Sequence, residues 1–290
     1  MNVVVSLNKN AGITSHDAVT AVKKAFKVKK AGHTGTLDPI ATGLMLICLN
    51  EATKAAWLIE SLEKEYVATF RLGVSTDTFD SEGSIVGSAD PSVITIDNIR
   101  ERLPAFTGEI MQVPPMYSAI KVSGQPLYKL ARKGIEIERK PRRVVVSSIE
   151  LIEFSNPSLK LRIGCSKGTY IRSLCNDLGN ALGIGAHVTG LHRTRIGNFR
   201  IADSATIDQL PQKTDSLFSI DTMLAYLPEL VLGGDALKRA RNGNPLAISV
   251  WHDQSVPAGI TVRLKDQDGK LFGIGKVAGD FIKIERLLFL

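Results

Sequence analysis

The chain has 290 residues, with 36 Lys and Arg against 29 Asp and Glu, a net charge of +7 and a pI near 9.3. Its 44% hydrophobic content is that of an ordinary globular protein, and no apolar run approaches the roughly 20 residues that span a bilayer. These numbers exclude a helical membrane protein and favour a polyanionic partner over a basic one.

Such a length fits one large domain, or a main domain with a small one. Met1 to Leu7 carries no basic leader and reads as a first strand, so a cytoplasmic protein is expected. Asn8 to Gly12 is a turn by composition. Thr14 and Asp17 have capping-box spacing, and Val19, Val22 and Phe26 mark one face of the helix that follows. Lys23, Lys24, Lys27, Lys29 and Lys30 then form either a solvated helix end or a basic approach to the next segment.

That segment runs from Gly32 to Gly43 as Gly-His-Thr-Gly-Thr-Leu-Asp-Pro-Ile-Ala-Thr-Gly. Its glycines and Pro39 rule out a long helix or a plain strand, and Asp38 directly precedes the proline. The expectation is a tight, mobile polar loop presenting a carboxylate, an imidazole and threonine hydroxyls, with Leu44 to Leu49 as a buried strand behind it. Local chemistry alone favours a surface turn with a solvated Asp38.

A second helix is expected over 52–62. Tyr66, Ala68, Phe70 and Leu72 alternate along a strand, and a polar loop spans 75–83. Ile96, Ile99, Leu103 and Phe106 give a helical stripe, and 108–115 reads as extended. From Met116 to Gly134 lysines and arginines alternate with Tyr117 and Tyr128, and Arg139, Lys140, Arg142 and Arg143 follow. Basic side chains neutralise phosphates and flat rings stack on unpaired bases, which points to RNA; the plain alternative is an amphipathic hairpin.

Val144–Phe154 and Leu159–Cys165 read as paired strands. Ile171, Leu174, Cys175, Leu178 and Leu182 then share one helical face. Arg172 falls in that helix's first turn, where a cation opposes the dipole unless an anion faces it. His192, Arg193 and Arg195 form a second basic cluster, and 205–216 reads as the start of a passage between domains. The remainder consists of short strands and turns, a small β-rich domain. Cys48, Cys165 and Cys175 are odd in number and lie in apolar segments, as reduced core thiols without zinc spacing.

Together the Gly32–Gly43 segment, Lys64-Glu65-Tyr66 with Leu72-Gly73, Thr76-Asp77-Thr78 with Asp80 and Gly83, Pro114 to Lys121 with Tyr128 to Gly134, and Cys165 to Leu174 with Asp177-Leu178-Gly179 resemble the bacterial tRNA pseudouridine-55 synthases, the TruB family. The motifs occur in order over most of the first 200 residues. One departure stands out: the family's Lys-Pro-x-Gly is here Lys9-Asn10-Ala11-Gly12, without the proline.

The resemblance implies an α+β fold: a mixed, mainly antiparallel sheet flanked by helices, with a small C-terminal PUA-like domain. It implies a catalytic domain over 1–227, an RNA-gripping insertion at about 112–140, and an RNA-binding domain over 228–290. It implies isomerisation of the T-loop uridine at position 55 of tRNA, with no guide RNA, cofactor or metal, by a monomer that also reaches the acceptor stem. Asp38 is implied as nucleophile or base, Arg172 as the partner that keeps it ionised, and Tyr66 as the ring stacked on the base near C5. His33 is implied to fill the space left by the extruded nucleotide, and Leu191 to wall the base pocket. Lys9, Lys64, Lys121, Lys129 and Arg132 complete the implied substrate contacts. The rival is a non-catalytic tRNA-binding and folding factor, whose cellular function would survive loss of Asp38.

Overall fold

The computed structural model describes residues 1–122, 124–251 and 257–289. Ser123, within the basic segment, lies outside them. In chain order the strands are β1 (Val3–Lys9), β2 (Ala31–His33), β3 (Thr42–Leu49) and β4 (Lys64–Leu72), then a short hairpin of β5 (Val74–Thr76) and β6 (Ile85–Ser88). Next come β7 (Gly108–Gln112), a second hairpin of β8 (Lys121–Val122) and β9 (Gln125–Pro126), β10 (Arg142–Ser155), β11 (Ser158–Cys165), β12 (Ala186–Ile196), β13 (Phe199–Arg200) and β14 (Leu217–Ser219). The helices are α1 (Ser15–Phe26), α2 (Ala56–Glu60), α3 (Ile96–Arg102), α4 (Leu127–Ala131), α5 (Ile171–Ala181), α6 (Ile220–Met223) and α7 (Gly234–Arg241).

Ten of these strands form one sheet, in the order β14-β1-β3-β12-β4-β11-β10-β7, with β2 beside β3 and β13 beside β12. Its pairings are antiparallel except that of β12 with β3, where His192 meets Thr42 and Arg193 meets Gly43. Strand β12 therefore wedges between two strands that adjoin each other in sequence. The close approach at this junction demands glycine: a Cβ on Gly43 would stand 2.3 Å from the Arg193 carbonyl oxygen, and its φ is +105°.

Three apolar layers cover the sheet. Helix α1, opened by the Thr14–Asp17 capping box, buries Ala18, Val19 and Val22 against Val5, Leu7, Met45 and Ile47. On the other face of the same strands, Leu58 and Ile59 pack with Val4, Leu44, Leu46 and Cys48. Further along, Tyr66, Ala68, Phe70 and Leu72 all point into a core closed by Ile171, Leu174, Cys175 and Leu178 of α5. The three cysteines are free and buried, and burial pushes Cys48 and Cys165 up to about 12.

Several expectations need correction. The helix expected over 52–62 is a 3₁₀ turn, Asn50–Ala55, followed by the short α2. Asn50 sits at a positive φ of 49° and Leu49 offers no capping side chain, so a long helix has no proper start. The first strand continues through Lys9, and the glycine-rich segment opens as β2 paired to β3. Residues 205–216 do not leave the sheet: Ala205 exchanges main-chain hydrogen bonds with Ser6 and Asn8, Leu210 joins the α1 core, and β14 then pairs with β1.

A second sheet follows, β15 (Glu229–Val231), β16 (Leu246–Ala247), β17 (Thr261–Lys265), β18 (Leu271–Ala278) and β19 (Phe281–Leu287), ordered β15-β17-β18-β19-β16. It is joined to the first by Leu271, Ile274 and Leu288, which enter the α2-side core. Ion pairs of Asp221 with Arg263 at 2.6 Å and Lys265 at 2.7 Å reinforce the contact. Among the described residues no helix is long and apolar enough to cross a membrane.

Candidate active site

A cavity of about 790 Å³ opens where the start of β4 meets the end of β12. Period-2 alternation puts Lys64 and Tyr66 of β4 on the same side as Leu191 and Arg193 of β12, and all four line it. The Gly35–Pro39 loop, the start of α1, the Ser118–Ile120 segment and the N-terminal turn of α5 supply the walls.

At its centre stands Arg172, only 4% exposed although in the first turn of α5. Its Nη2 donates to Asp38 Oδ1 at 3.0 Å. Nε faces Oδ2 at 2.8 Å but off the N–H direction, so this second contact is an ion pair rather than an aligned hydrogen bond. The same guanidinium donates from Nη1 to Thr78 O at 3.0 Å and from Nη2 to Tyr117 O at 2.8 Å. Nη1 also lies 3.3 Å from Asp80 Oδ2. Asp80 is as buried as the arginine and is held by Thr78 Oγ1 at 2.5 Å and the Glu82 amide at 3.1 Å. Thus one buried cation bridges two carboxylates: Asp80, sealed inside, and Asp38, whose side chain is 31% exposed toward the cavity. The anion that a first-turn arginine calls for is a pair of aspartates.

Tyr66 is buried against the core with its ring facing the cavity; burial pushes its phenol up, opposed by the nearby Arg193 guanidinium. Leu191 is an apolar wall two positions from Arg193. His33 follows directly from β2. Its Nδ1 accepts the Gly35 amide at 3.3 Å, which assigns the ring proton to Nε2. Burial, then Arg193, lowers its pKa, so the ring is neutral at pH 7.

The remaining implied contacts separate. Lys64 lines the cavity, with its ammonium on the Glu60 and Leu62 carbonyls, and burial lowers it to about 8. Arg132 stands at the cavity lip with its guanidinium 5.8 Å from the Tyr128 ring centre. Lys121 and Lys129 are exposed outside the cavity, on the β8–β9 hairpin and α4. Lys9 does not reach the cavity surface. Fully buried, it donates to the Asn10 and Ile13 carbonyls at 2.9 Å and to Pro39 O at 3.4 Å, beneath the Asp38 loop. Burial lowers it to about 8 as well, with Asp38 opposing. Lys9, implied as a substrate contact, instead ties the Asn10–Ile13 turn to the Asp38 loop, with Asn10 standing where the family has proline. The α1 lysines do not line the cavity.

Arg193, Asp80 and Ser15 were not singled out as site residues from sequence. Arg193 is the largest fully buried side chain and donates to Leu44 O at 2.7 Å, Gly35 O at 3.2 Å and Thr36 O at 3.5 Å. Its alternation with Leu191 was the available signal. The expected mobile loop is instead tied down on several sides.

Residues 23–171 match the family described as TruB family pseudouridylate synthase (N terminal domain), and residues 172–237 match the tRNA pseudouridylate synthase B C-terminal domain. The boundary between the two matches falls inside the cavity, with Asp38 in one and Arg172 in the other. A protein of Dechloromonas aromatica named tRNA pseudouridine synthase B is 42% identical over 279 residues, covering 94% of this chain and 90% of its own. A protein of that name in Clostridium tetani is 40% identical over 290 residues, covering 99% and 100%. Among solved structures, a chain of a Cbf5-Nop10-Gar1 complex has a TM-score of 0.77 at 27% identity, covering 98% of this chain and 84% of that one.

Proposed function

The chain belongs to the TruB family of pseudouridylate synthases and is a tRNA pseudouridine synthase; we propose that it isomerises the uridine at position 55 in the T-loop, flipped out of its stack, with Asp38 as the reacting carboxylate. The observation that carries this reading is the Asp38–Arg172 pair, which aims an anion into a cavity floored by an aromatic ring.

Isomerisation breaks the N1–C1′ bond, turns the base, and joins C5 to C1′. A proton leaves C5 and one is taken up at N1, so the reaction is balanced without an oxidant or an imported group. Asp38 acts on the nucleotide as nucleophile or base, at C1′, at C6 or on the 2′ proton, while Arg172 pairs with the carboxylate and orients it. Tyr66 stacks on the base beside C5; its raised pKa keeps the phenol protonated at neutral pH. Leu191 walls the base pocket beside it. His33 occupies the gap left in the loop, offsetting an unstacking cost of a few kcal/mol.

The insertion at about 112–140 grips the T-arm, with Arg132 at the lip and Lys121 and Lys129 on flanking phosphates. Catalysis is assigned to 1–227. A PUA-like unit over 228–290 presents the exposed Lys238 and Arg239 of α7 to the acceptor stem. The protein works as a monomer and without a guide RNA; the 40–42% identity to relatives named tRNA pseudouridine synthase B, against 27% to a chain of a Cbf5-Nop10-Gar1 complex, supports the second of these.

The test uses purified protein and an unmodified tRNA transcript, with pseudouridine mapped along the product. Modification at position 55 alone, lost in Asp38→Asn while tRNA binding persists, is the expected result. An Asp38→Asn protein with undiminished turnover removes Asp38 from the chemistry, and a requirement for added guide RNA removes the stand-alone reading.

A further inference from the structure

The main chain around Asp38 is fastened almost residue by residue. Arg193 holds the carbonyls of Gly35 and Thr36, Lys9 holds that of Pro39, and the Gly12 amide donates to the same Pro39 oxygen at 2.9 Å. The Ala41 amide closes back on Asp38 O at 3.0 Å. Leu37, the residue directly before the aspartate, is held by one hydroxyl. Ser15 Oγ accepts the Leu37 amide at 2.8 Å and donates to the Leu37 carbonyl at 2.9 Å. A single side chain thus satisfies both polar groups of one buried residue, as a neighbouring strand would.

Among the described residues this hydroxyl makes no other hydrogen bond. Although Ser15 opens α1, the helix is capped by Thr14, whose side chain and amide are engaged with Asp17. Ser15 lines the cavity but is buried, 4% exposed, and its oxygen is engaged on both sides by Leu37.

We propose that Ser15 is a positioning residue: through Leu37 it fixes the peptide that carries Asp38, and hence the approach of the carboxylate to the sugar and base. The inference rests on the reading of Asp38 as the reacting group. Without the hydroxyl, the Leu37 amide and carbonyl lose their partner in a buried place, and the loop must shift to find others. A displacement of about 1 Å in a reacting group costs on the order of a hundredfold in rate. Binding of tRNA, which draws on distant phosphates, is untouched by such a shift.

The experiment compares the full-length parent, Ser15→Ala, Asp17→Ala and Asp38→Asn on an unmodified tRNA transcript. The readouts are single-turnover rate at saturating enzyme, tRNA affinity, and amide exchange of the segment spanning 35–41. Asp17→Ala weakens the start of the same helix without untying Leu37. Ser15→Ala is expected to react about ten- to a hundredfold more slowly, with affinity within about twofold of the parent and faster exchange in the segment. Asp17→Ala keeps the parent rate and exchange. The assignment is overturned by a Ser15→Ala rate within twofold of the parent, by an affinity loss that matches the rate loss, or by an equal slowing in Asp17→Ala. Asp38→Asn separates the two readings. If it turns over normally, the Asp38 assignment falls; if it is inert beside an unimpaired Ser15→Ala, only the Ser15 assignment falls.

Discussion

Arg172 offers the sharpest quantitative test. Arg172→Met keeps the bulk of the side chain but removes the cation between Asp80 and Asp38. Asp38 can turn to water, since a third of its side chain is exposed; Asp80, 5% exposed, cannot. Breaking a buried pair by deleting one partner costs about 3–5 kcal/mol, mostly as the charge left behind. An unfolding entropy of about 2.1 cal/mol/K per residue amounts to about 0.6 kcal/mol/K for a chain this long, so the melting temperature should fall by about 5–8 °C. Adding Asp80→Asn removes the stranded charge while its Oδ1 still accepts from Thr78 and Glu82. The double variant should therefore melt above Arg172→Met alone, and turnover should be lost in both. Differential scanning fluorimetry and urea titration of the four members of the cycle give the coupling energy. A drop below about 2 °C for Arg172→Met, or strict additivity of the two substitutions, would show that the guanidinium is solvated and the buried triad is not the organising element.

Two further outcomes follow from the charged groups. Lys9 and Lys64 are lowered from 10.5 to about 8 by burial, so between those values the unfolded chain holds more protons than the folded one. Their contribution to stability therefore rises with pH across that window and is lost as pH falls through about 8. Between pH 7 and 9 tRNA affinity should weaken as Lys64 discharges at the cavity wall, while these two groups cause no fall in melting temperature; an affinity independent of pH, or an unchanged pH response in Lys64→Gln, refutes the Lys64 contact. Separately, replacing Lys121, Lys129, Arg132 and Lys133 with Gln should reduce the slope of log affinity against log salt by about 3, at roughly 0.7–0.9 per phosphate contact. An unchanged slope dissociates the insertion from the RNA backbone.

Much of the site was legible where one element carries its own pattern. Thr14 and Asp17 announced the cap of α1, the alternation through Tyr66 set the inward face of β4, and the misplaced charge of Arg172 called for an anion that Asp38 and Asp80 supply. Arg193 escaped because β12 is bulged between Val188 and Gly190 and again between Arg193 and Arg195, which blurs the period just where His192, Arg193 and Arg195 look like one basic surface. Ser15 escaped because its partner is 22 residues away, and a serine at a helix start reads as a cap. The segment 205–216 looked like a linker because its anchors, Ser6 and Asn8, lie at the other end of the domain.

The seat of β12 has a consequence for synthesis. A ribosome that has released residues 1–180 has delivered β1, β3, β4, β10 and β11, yet β3 and β4 are still strangers, each presenting a raw hydrogen-bonding edge to the gap between them. The sheet closes when residues 186–196 arrive, and the same event lays Leu191 and Arg193 beside Tyr66. A nascent chain stalled earlier would expose two sticky edges and own no working centre, so competence is gained in one late step rather than by degrees.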